Sequence, residues 1–238
     1  MLTPTMSLKP QNIAVIGASG AIGSAFVRLL SEQYPNASMW AFSQKIGQNI
    51  DYDNEDSIAE AAELAAKEKP LDLVIMAGGL LHDEDLMPEK SLRDLSAEKF
   101  QRIFAANTIT PALMAKHFLP KLNKDQTSIF AVLSARVGSI SDNQLGGWYA
   151  YRASKAALNM IIKNAAIEIG RKNKQAIIVG LHPGTVDSGL SKPFQGNVAN
   201  GKLFSPEYSA QRLLKVLEGL SPDHTGKCFG WDNTEILP

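Results

Sequence analysis

Asn-Ile-Ala-Val-Ile-Gly-Ala-Ser-Gly-Ala-Ile-Gly, residues 12–23, decides the fold class of this chain. Its first five residues form a short run rich in apolar and β-branched side chains, and the rest carries glycine at Gly17, Gly20 and Gly23. Beyond the last glycine, apolar residues recur at helical spacing. The pattern predicts a buried strand, a tight glycine turn and a helix.

A turn of this kind lets the backbone approach a pyrophosphate, whose charge then sits at the N-terminus of the following helix. The spacing Gly-x-x-Gly-x-x-Gly differs from the common Gly-x-Gly-x-x-Gly, and taken alone it also fits a tight turn that binds nothing. Between a strand and a helix, it predicts a dinucleotide site that includes Ser19 and Ile22 beside the three glycines.

The end of the next predicted strand, residues 38–42, bears on which dinucleotide binds. An acidic residue at that strand end would bond the ribose hydroxyls of NAD. Ser43, Gln44 and Lys45 stand there instead. This neutral-to-basic set favours the 2'-phosphate of NADP, with NAD as the second candidate. The other interpretation is that these residues are merely solvated.

Strand and helix patterns alternate along the rest of the chain. Further strands are predicted at 49–52, 71–77, 128–133, 174–181 and 225–230, and helices at 55–67, 97–122, 148–169 and 206–220. Alternation of this kind predicts an α/β fold with right-handed crossovers. We expect one Rossmann-type domain over 1–238, a doubly wound parallel sheet of about seven strands flanked by helices, with 1–10 as a flexible tail.

Composition excludes several classes of function. The 24 basic and 24 acidic residues give no net charge, so neither nucleic acid nor an anionic membrane is an expected partner. Cys228 is the single cysteine, which fits a cytoplasmic protein without a disulfide framework. The four histidines are too scattered to indicate a metal site, and no apolar run is long enough for a membrane span.

Tyr151 and Lys155 are the first candidates for chemistry. They stand four residues apart in a predicted helix, so both side chains emerge from one face about 5–6 Å apart. A neighbouring ammonium favours phenolate, so we expect Lys155 to lower the pKa of Tyr151 from about 10 and to make it a better general acid. The other interpretation is a surface helix with an incidental tyrosine and lysine.

Four further positions are candidates on weaker grounds. Asp51 either accepts a bond from an adenine amine or caps a turn, and Ala77 and Gly78 end a strand where close approach to a ligand needs small residues. Asn107, among apolar neighbours, either satisfies a backbone group or holds a water in an active site.

Two further features concern the shape of the chain. Pro111 should kink its helix, and residues 194–204 form either a lid or an ordinary surface loop.

These features resemble, in order and spacing, the short-chain dehydrogenase/reductase family. The resemblance rests on the glycine turn, Asn107, the serine after the fifth strand, Tyr151 with Lys155, and Pro183-Gly184. Residues 138–155 further resemble the branch that contains C-factor-type proteins and certain carbonyl reductases. Three positions depart from the family pattern: Ile16 replaces a threonine, the middle glycine is at position 20, and Met76-Ala77-Gly78 lacks an asparagine.

The resemblance implies an NAD(P)-dependent reduction of a ketone or aldehyde, or the reverse oxidation of an alcohol. It implies that Tyr151 donates the proton, that a serine polarises the carbonyl, that Lys155 also bonds the nicotinamide ribose, and that Asn107 anchors a relay water. The catalytic set is Asn107, Ser134, Tyr151 and Lys155. The cofactor-binding set is Gly17, Ser19, Gly20, Ile22, Gly23, Ser43, Asp51, Ala77, Gly78, Asn107, Tyr151, Lys155, Pro183, Gly184, Val186 and Ser188.

The choice of Ser134 over Ser139 needs an argument, because the family's serine usually lies 12 or 13 residues before the tyrosine. Counting selects Ser139, but the fifth strand delivers Ser134 to the sheet edge where the serine belongs. Ala135 fills the place of a second serine that is often the catalytic one. We therefore predict Ser134, with Ser139 as the alternative.

Two questions about partners stay open at this point. The second function class is a catalytically weak, dinucleotide-binding signalling or regulatory protein that acts through a protein partner. The intact set of candidate catalytic residues favours the enzyme. Apolar residues on more than one helix face, including Ile109, Leu113, Ile161 and Ile162, and the resemblance predict a homodimer or homotetramer.

Overall fold

The computed structural model describes residues 8–238. Of the tail expected at 1–10, residues 1–7 lie outside the described residues. Leu8 packs against the hydrophobic core and Pro10 is buried, so the ordered chain begins before the tail was expected to end.

One parallel sheet of seven strands runs through the molecule in the order β3-β2-β1-β4-β5-β6-β9. Its strands are β1 (Asn12–Ile16), β2 (Ser38–Ser43), β3 (Gln48–Asn49), β4 (Leu73–Met76), β5 (Ser128–Leu133), β6 (Ala176–His182) and β9 (Cys228–Gly230). A separate two-stranded ribbon joins β7 (Thr185–Val186) and β8 (Leu203–Phe204). Near-continuous apolar strands suit a parallel sheet that is covered on both faces. The predicted fold class is confirmed.

Helices cover both faces of the sheet. They are α1 (Ala21–Gln33), α2 (Glu55–Ala66), α3 (Ala97–Phe104), α4 (Thr110–Phe118), α5 (Tyr149–Ile169) and α6 (Pro206–Glu218). Alternate residues of β1 face opposite ways, so Val15 packs with α1 and α6, whereas Ala14 packs with α2, α4 and α5. Within residues 8–238, none of the helices has the length and apolar character needed to cross a membrane.

The third strand is shorter than the sequence pattern predicts. Strand β3 covers Gln48–Asn49 instead of 49–52. The residues that follow belong to a turn: the Asp51 carboxylate accepts from Asp53 N, and the Asn54 side chain caps α2 by accepting from Asp56 N. Short polar side chains that bond nearby backbone groups compete with strand pairing.

The long helix predicted at 97–122 is broken in the middle. A π-helical segment, Ala105–Ile109, separates α3 from α4, and Thr110 N donates to the carbonyl of Ala105, five residues back. Pro111 lies in the first turn of α4 and has no N–H to donate to the Asn107 carbonyl. The disturbance in the helix therefore takes the form of a π-helical turn just before Pro111, because the proline removes a bond from that turn.

The strand order locates the site. The chain builds the sheet outward from β1, first towards β2 and β3, then from β4 towards β9. In open sheets of this type, ligands bind in the crevice beyond the carboxyl ends of the strands where the order reverses, here between β1 and β4.

Candidate active site

The glycine turn after β1 is shaped for close packing. Gly17 has a φ of 84°, and a Cβ there would lie 3.0 Å from Ala77 C and Gly78 N. A Cβ on Gly23 would lie 2.1 Å from the Gly17 carbonyl oxygen, so only glycine lets α1 approach the turn. Gly20 is the N-cap of α1 and no acidic residue lies in the first turn, so this helix end suits an anion.

A cleft of about 580 Å³ opens over the carboxyl ends of β1, β4, β5 and β6. It brings together most of the predicted residues. On its wall lie Gly17, Ser19, Gly20, Ile22, Ala77, Gly78, Ser134, Tyr151, Lys155, Pro183, Gly184, Val186 and Ser188. The glycine turn and the Tyr151–Lys155 pair, which stand far apart in the sequence, therefore face one cavity. Its glycine cradle and its positive helix end fit a dinucleotide.

Four predicted cofactor residues do not line this wall: Gly23, Ser43, Asp51 and Asn107. The structure places Ser43 and Asp51 in turns instead. Ser43 is fully buried, and its hydroxyl donates to the Ile46 carbonyl and accepts from Ile46 N, so it closes the turn after β2. Asp51 is exposed and accepts from Asp53 N, which is the turn-capping alternative. The residue next to it, Tyr52, lines the cleft instead.

Gly23 and Asn107 are buried behind the residues that line the cleft. Gly23 is buried between α1 and the glycine turn, so it shapes the turn without facing the cleft. The Asn107 amide is fully buried, accepts from Leu80 N at 2.8 Å and donates to the Leu80 carbonyl at 2.7 Å. These bonds hold the chain just after β4. Of the two interpretations of Asn107, the side chain therefore follows the first: it satisfies backbone groups.

The helix α5 carries Tyr151 and Lys155 as predicted. Lys155 Nζ lies 5.9 Å from the Tyr151 ring centroid and donates to the Leu133 carbonyl at 2.9 Å. Burial lowers the pKa of Lys155 to about 8, and it raises the pKa of the half-buried Tyr151 to about 12. The expectation that Lys155 lowers the pKa of Tyr151 is therefore wrong, because the loss of solvation on burial raises that pKa.

The two candidate serines differ in where they lie. Ser134 lies on the cleft wall after β5, and its Oγ donates to Asn159 Oδ1 at 2.6 Å. Ser139 is buried away from the wall, where its Oγ accepts from Asp142 N at 3.1 Å. Ala135 also lines the cleft. The placement favours Ser134 over Ser139.

Several wall residues were not predicted, among them Tyr52, Trp148 and His182. His182 ends β6, and its Nδ1 is buried without a hydrogen-bond partner among the described residues. Burial lowers the pKa of its imidazole to about 4, with Arg136 adding to the effect, so the ring is neutral at pH 7. A polar residue at the carboxyl end of a buried strand, just before Pro183-Gly184, was a signal that sequence reasoning had available.

Comparison with known families agrees with this geometry. The family model described as short chain dehydrogenase matches residues 11–198. The chain belongs to the short-chain dehydrogenase family. The predicted membership of an NAD(P)-dependent oxidoreductase family is confirmed.

Two curated proteins of different description are similar in sequence to this chain. A 1-hydroxy-2-glutathionyl-2-methyl-3-butene dehydrogenase of Rhodococcus sp. (strain AD45) is 28% identical over 232 residues, covering 93% of this chain and 97% of the relative. The C-signal protein of Myxococcus xanthus is 32% identical over 146 residues, covering 61% of this chain and 82% of the relative.

Solved structures share the fold over the whole chain. The NADPH-bound carbonyl reductase from chicken fatty liver superposes with a TM-score of 0.81 at 24% identity, covering 97% of this chain and all (100%) of that one. Carbonyl reductase Sniffer of D. melanogaster superposes with a TM-score of 0.77 at 19% identity, covering 96% and 99%. At these identities the similarity shows the fold.

Proposed function

We propose that this chain is an NADPH-dependent carbonyl reductase that converts a ketone or aldehyde to an alcohol. One observation carries the proposal: Tyr151 and Lys155 face the same cleft as the glycine turn. The bound cofactor supplies the hydride, and the protein then has to position the carbonyl, donate a proton and exclude water.

Each candidate residue has a defined task in this scheme. The Tyr151 phenol donates its proton to the carbonyl oxygen, and the Ser134 hydroxyl orients that oxygen. Lys155, fixed by the Leu133 carbonyl, would donate to the ribose of the bound cofactor. The Asn107 carbonyl, to which Pro111 cannot donate, is the acceptor for a water that returns protons towards Lys155.

The Tyr151 phenol holds the proton that carbonyl reduction consumes. With a pKa of about 12, the Tyr151 phenol keeps its proton across the neutral range. A proton donor must be protonated to act, whereas alcohol oxidation needs a phenolate base. Tyr151 is therefore in the protonation state that a proton donor requires.

NADPH is the proposed cofactor, with NADH as the weaker one. Gln44 and Lys45 line the cleft after β2, and among the described wall residues no carboxylate lies there to repel a 2'-phosphate. The solved carbonyl reductase from chicken fatty liver, which has this fold, binds NADPH.

The second candidate function is dinucleotide-dependent signalling through a protein partner, and the likeness to C-signal is the observation in its favour. Such a protein has no need of a proton donor over the cofactor site. The structure retains both Tyr151 and Lys155 there, which supports the enzyme.

A substrate screen with cofactor titration tests the proposal. Ketones, aldehydes and quinones are each incubated with NADPH and with NADH, and binding of both cofactors is measured calorimetrically. We expect tighter binding of NADPH and turnover of at least one carbonyl class. Tight NADPH binding without any turnover would support the signalling alternative, and the absence of dinucleotide binding would refute both functions.

We further propose a homodimer or homotetramer and a cytoplasmic location. Exposed apolar side chains lie on the helices around the site, including Ile109 and Met160, at 54% and 61% exposed. Ile162, which the sequence also suggested for the interface, packs into the chain's own core. A second subunit would cover the exposed set.

A further inference from the structure

The chain enters α5 through an unusual backbone. Gly146, Gly147 and Trp148 have consecutive positive φ angles of 62°, 64° and 51°. Glycine adopts this left-handed conformation freely, but a bulky side chain does so at a cost. Trp148 is therefore held in a strained conformation directly before the helix that carries Tyr151.

The buried residue Glu89 holds this strained turn through its main-chain carbonyl and its carboxylate. Trp148 N donates to the Glu89 carbonyl at 2.6 Å, and Ala150 N donates to Glu89 Oε2 at 3.2 Å. Glu89 is itself 3% exposed, so these bonds lie away from solvent. A strained backbone persists only where the surrounding contacts hold it in place, and such residues cluster at functional sites.

The strain places the indole in the cleft. The Trp148 ring lies edge-on to Tyr151, with centroids 6.1 Å apart, and edge-on to Phe194 at 5.0 Å. Phe194 is backed in turn by the His82 ring at 5.5 Å, whose Nε2 bonds the Gly189 carbonyl at 2.9 Å. The loop that holds Phe194 is thus tied to His82, on the segment that follows β4. Trp148 and Phe194 together form a supported aromatic wall beside the proton donor.

Apolar side chains form much of the cleft wall, and charged side chains are few. The lining includes the apolar side chains of Leu81, Val137, Leu190 and Val198, together with the hydroxyl groups of Ser134, Ser188 and Ser191. Among the described wall residues, the charged side chains are Lys45, on the loop after β2, and Lys155, whose ammonium donates to Leu133. Lys155 donates to the Leu133 carbonyl and, in the proposed scheme, to the cofactor ribose. A carboxylate or phosphate on the substrate would therefore be buried here without a cationic partner of its own, which is costly.

Building on the proposed reductase activity, we propose that Trp148 is a specificity-determining residue that selects uncharged carbonyl compounds bearing a planar ring. The ring of the substrate packs against the indole and the Phe194 ring, and its carbonyl then faces Tyr151. Aromatic contacts of this type add to the gain from burying apolar surface.

Matched substrates and variants test the proposal. A phenyl ketone and a phenyl 2-oxo acid share the ring and differ by the carboxylate, and a small alkyl ketone lacks the ring. We expect the wild type to prefer the phenyl ketone over the oxo acid by about 100-fold or more in kcat/KM. Trp148→Gly, which also relieves the backbone, should lose about tenfold in kcat/KM for the phenyl ketone and little for the alkyl ketone.

Three controls separate this role from general damage. Asn233→Gly also introduces glycine at a residue with a left-handed backbone, φ 66°, but on the exposed surface. This variant should change no kinetic constant. Trp148→Phe should restore most of the preference, since it keeps a ring in place. NADPH affinity should be unchanged in each variant.

The outcomes also distinguish this inference from the reductase proposal. Preference for the oxo acid, or equal losses on both ketones in Trp148→Gly, overturns the role of Trp148 and leaves the reductase intact. Calorimetric binding of the phenyl ketone to the NADPH complex, weakened in Trp148→Gly but without turnover in the wild type, supports the aromatic wall and overturns the reductase.

Discussion

Replacing Ser134 and Ser139 by alanine, one at a time, separates a catalytic hydroxyl from a structural one. Both serines are buried, at 3% and 2% exposed, and both make a hydrogen bond that the alanine would lose. Ser134→Ala leaves Asn159 Oδ1 without its partner, and Ser139→Ala leaves Asp142 N without one. Each loss should destabilise the fold by about 1–3 kcal/mol.

The kinetic effects should differ although the effects on stability are similar. Ser134 lies on the cleft wall, so its hydroxyl is available to the carbonyl oxygen. Turning the Asn159 amide over lets Nδ2 donate to Ser134 Oγ and frees the hydroxyl proton for the substrate. Losing one such positioned donor lowers turnover by about 100-fold or more, whereas Ser139→Ala should stay within about threefold of the wild type.

Steady-state kinetics on a substrate from the screen, with thermal unfolding as the check on folding, measures both effects. The midpoint should fall by about 2–4 °C for each kcal/mol lost in a domain of this size. The reasoning fails if Ser139→Ala is the more impaired variant, or if Ser134→Ala unfolds earlier but turns over like the wild type. In the second case, Ser134 is only a structural partner of Asn159.

Three other predictions concern charge and assembly. Burial lowers the pKa of Lys155 to about 8, so the amine loses its charge as pH rises through about 8 and kcat/KM for NADPH should fall. Lys155→Arg should abolish this fall, because arginine keeps its charge. A flat wild-type profile from pH 7 to 9 would contradict this prediction. Lys45→Glu should weaken NADPH binding by about tenfold in calorimetry and barely affect NADH; equal losses for both cofactors would show that Lys45 does not face the 2'-phosphate. Light scattering should give a dimer or tetramer mass for the wild type, and Met160→Glu should shift it towards the monomer; a monomeric wild type at micromolar concentration would refute the proposed interface.

The sheet and the position of the site followed from local patterns. The apolar run Asn12–Ile16 with its three glycines predicts strand, turn and helix from short-range sterics alone, and these lie where expected. The Tyr151 and Lys155 spacing fixes both residues on one helix because four residues make about one turn. Neither inference needs knowledge of distant contacts.

What sequence reasoning missed depends on contacts made across the fold. The π-helical segment at Ala105–Ile109 arises from a proline one turn later, and the left-handed Trp148 is held by Glu89, which is distant in sequence. The pKa of Tyr151 rises because the fold buries the phenol, which spacing to Lys155 does not reveal. Asp51 was assigned to the cleft only because capping and ligand binding use the same residue types at a strand end.

The most direct test of the proposed chemistry is Tyr151→Phe, with Tyr149→Phe as its matched control. Tyr149 precedes it by two residues on the same helix but does not lie on the described cleft wall. Calorimetry of NADPH binding and steady-state turnover are measured for both variants and the wild type. The account predicts unchanged cofactor affinity throughout, a loss of about 100-fold or more in turnover for Tyr151→Phe, and near wild-type turnover for Tyr149→Phe. Near wild-type turnover by Tyr151→Phe would contradict the assignment of Tyr151 as the proton donor.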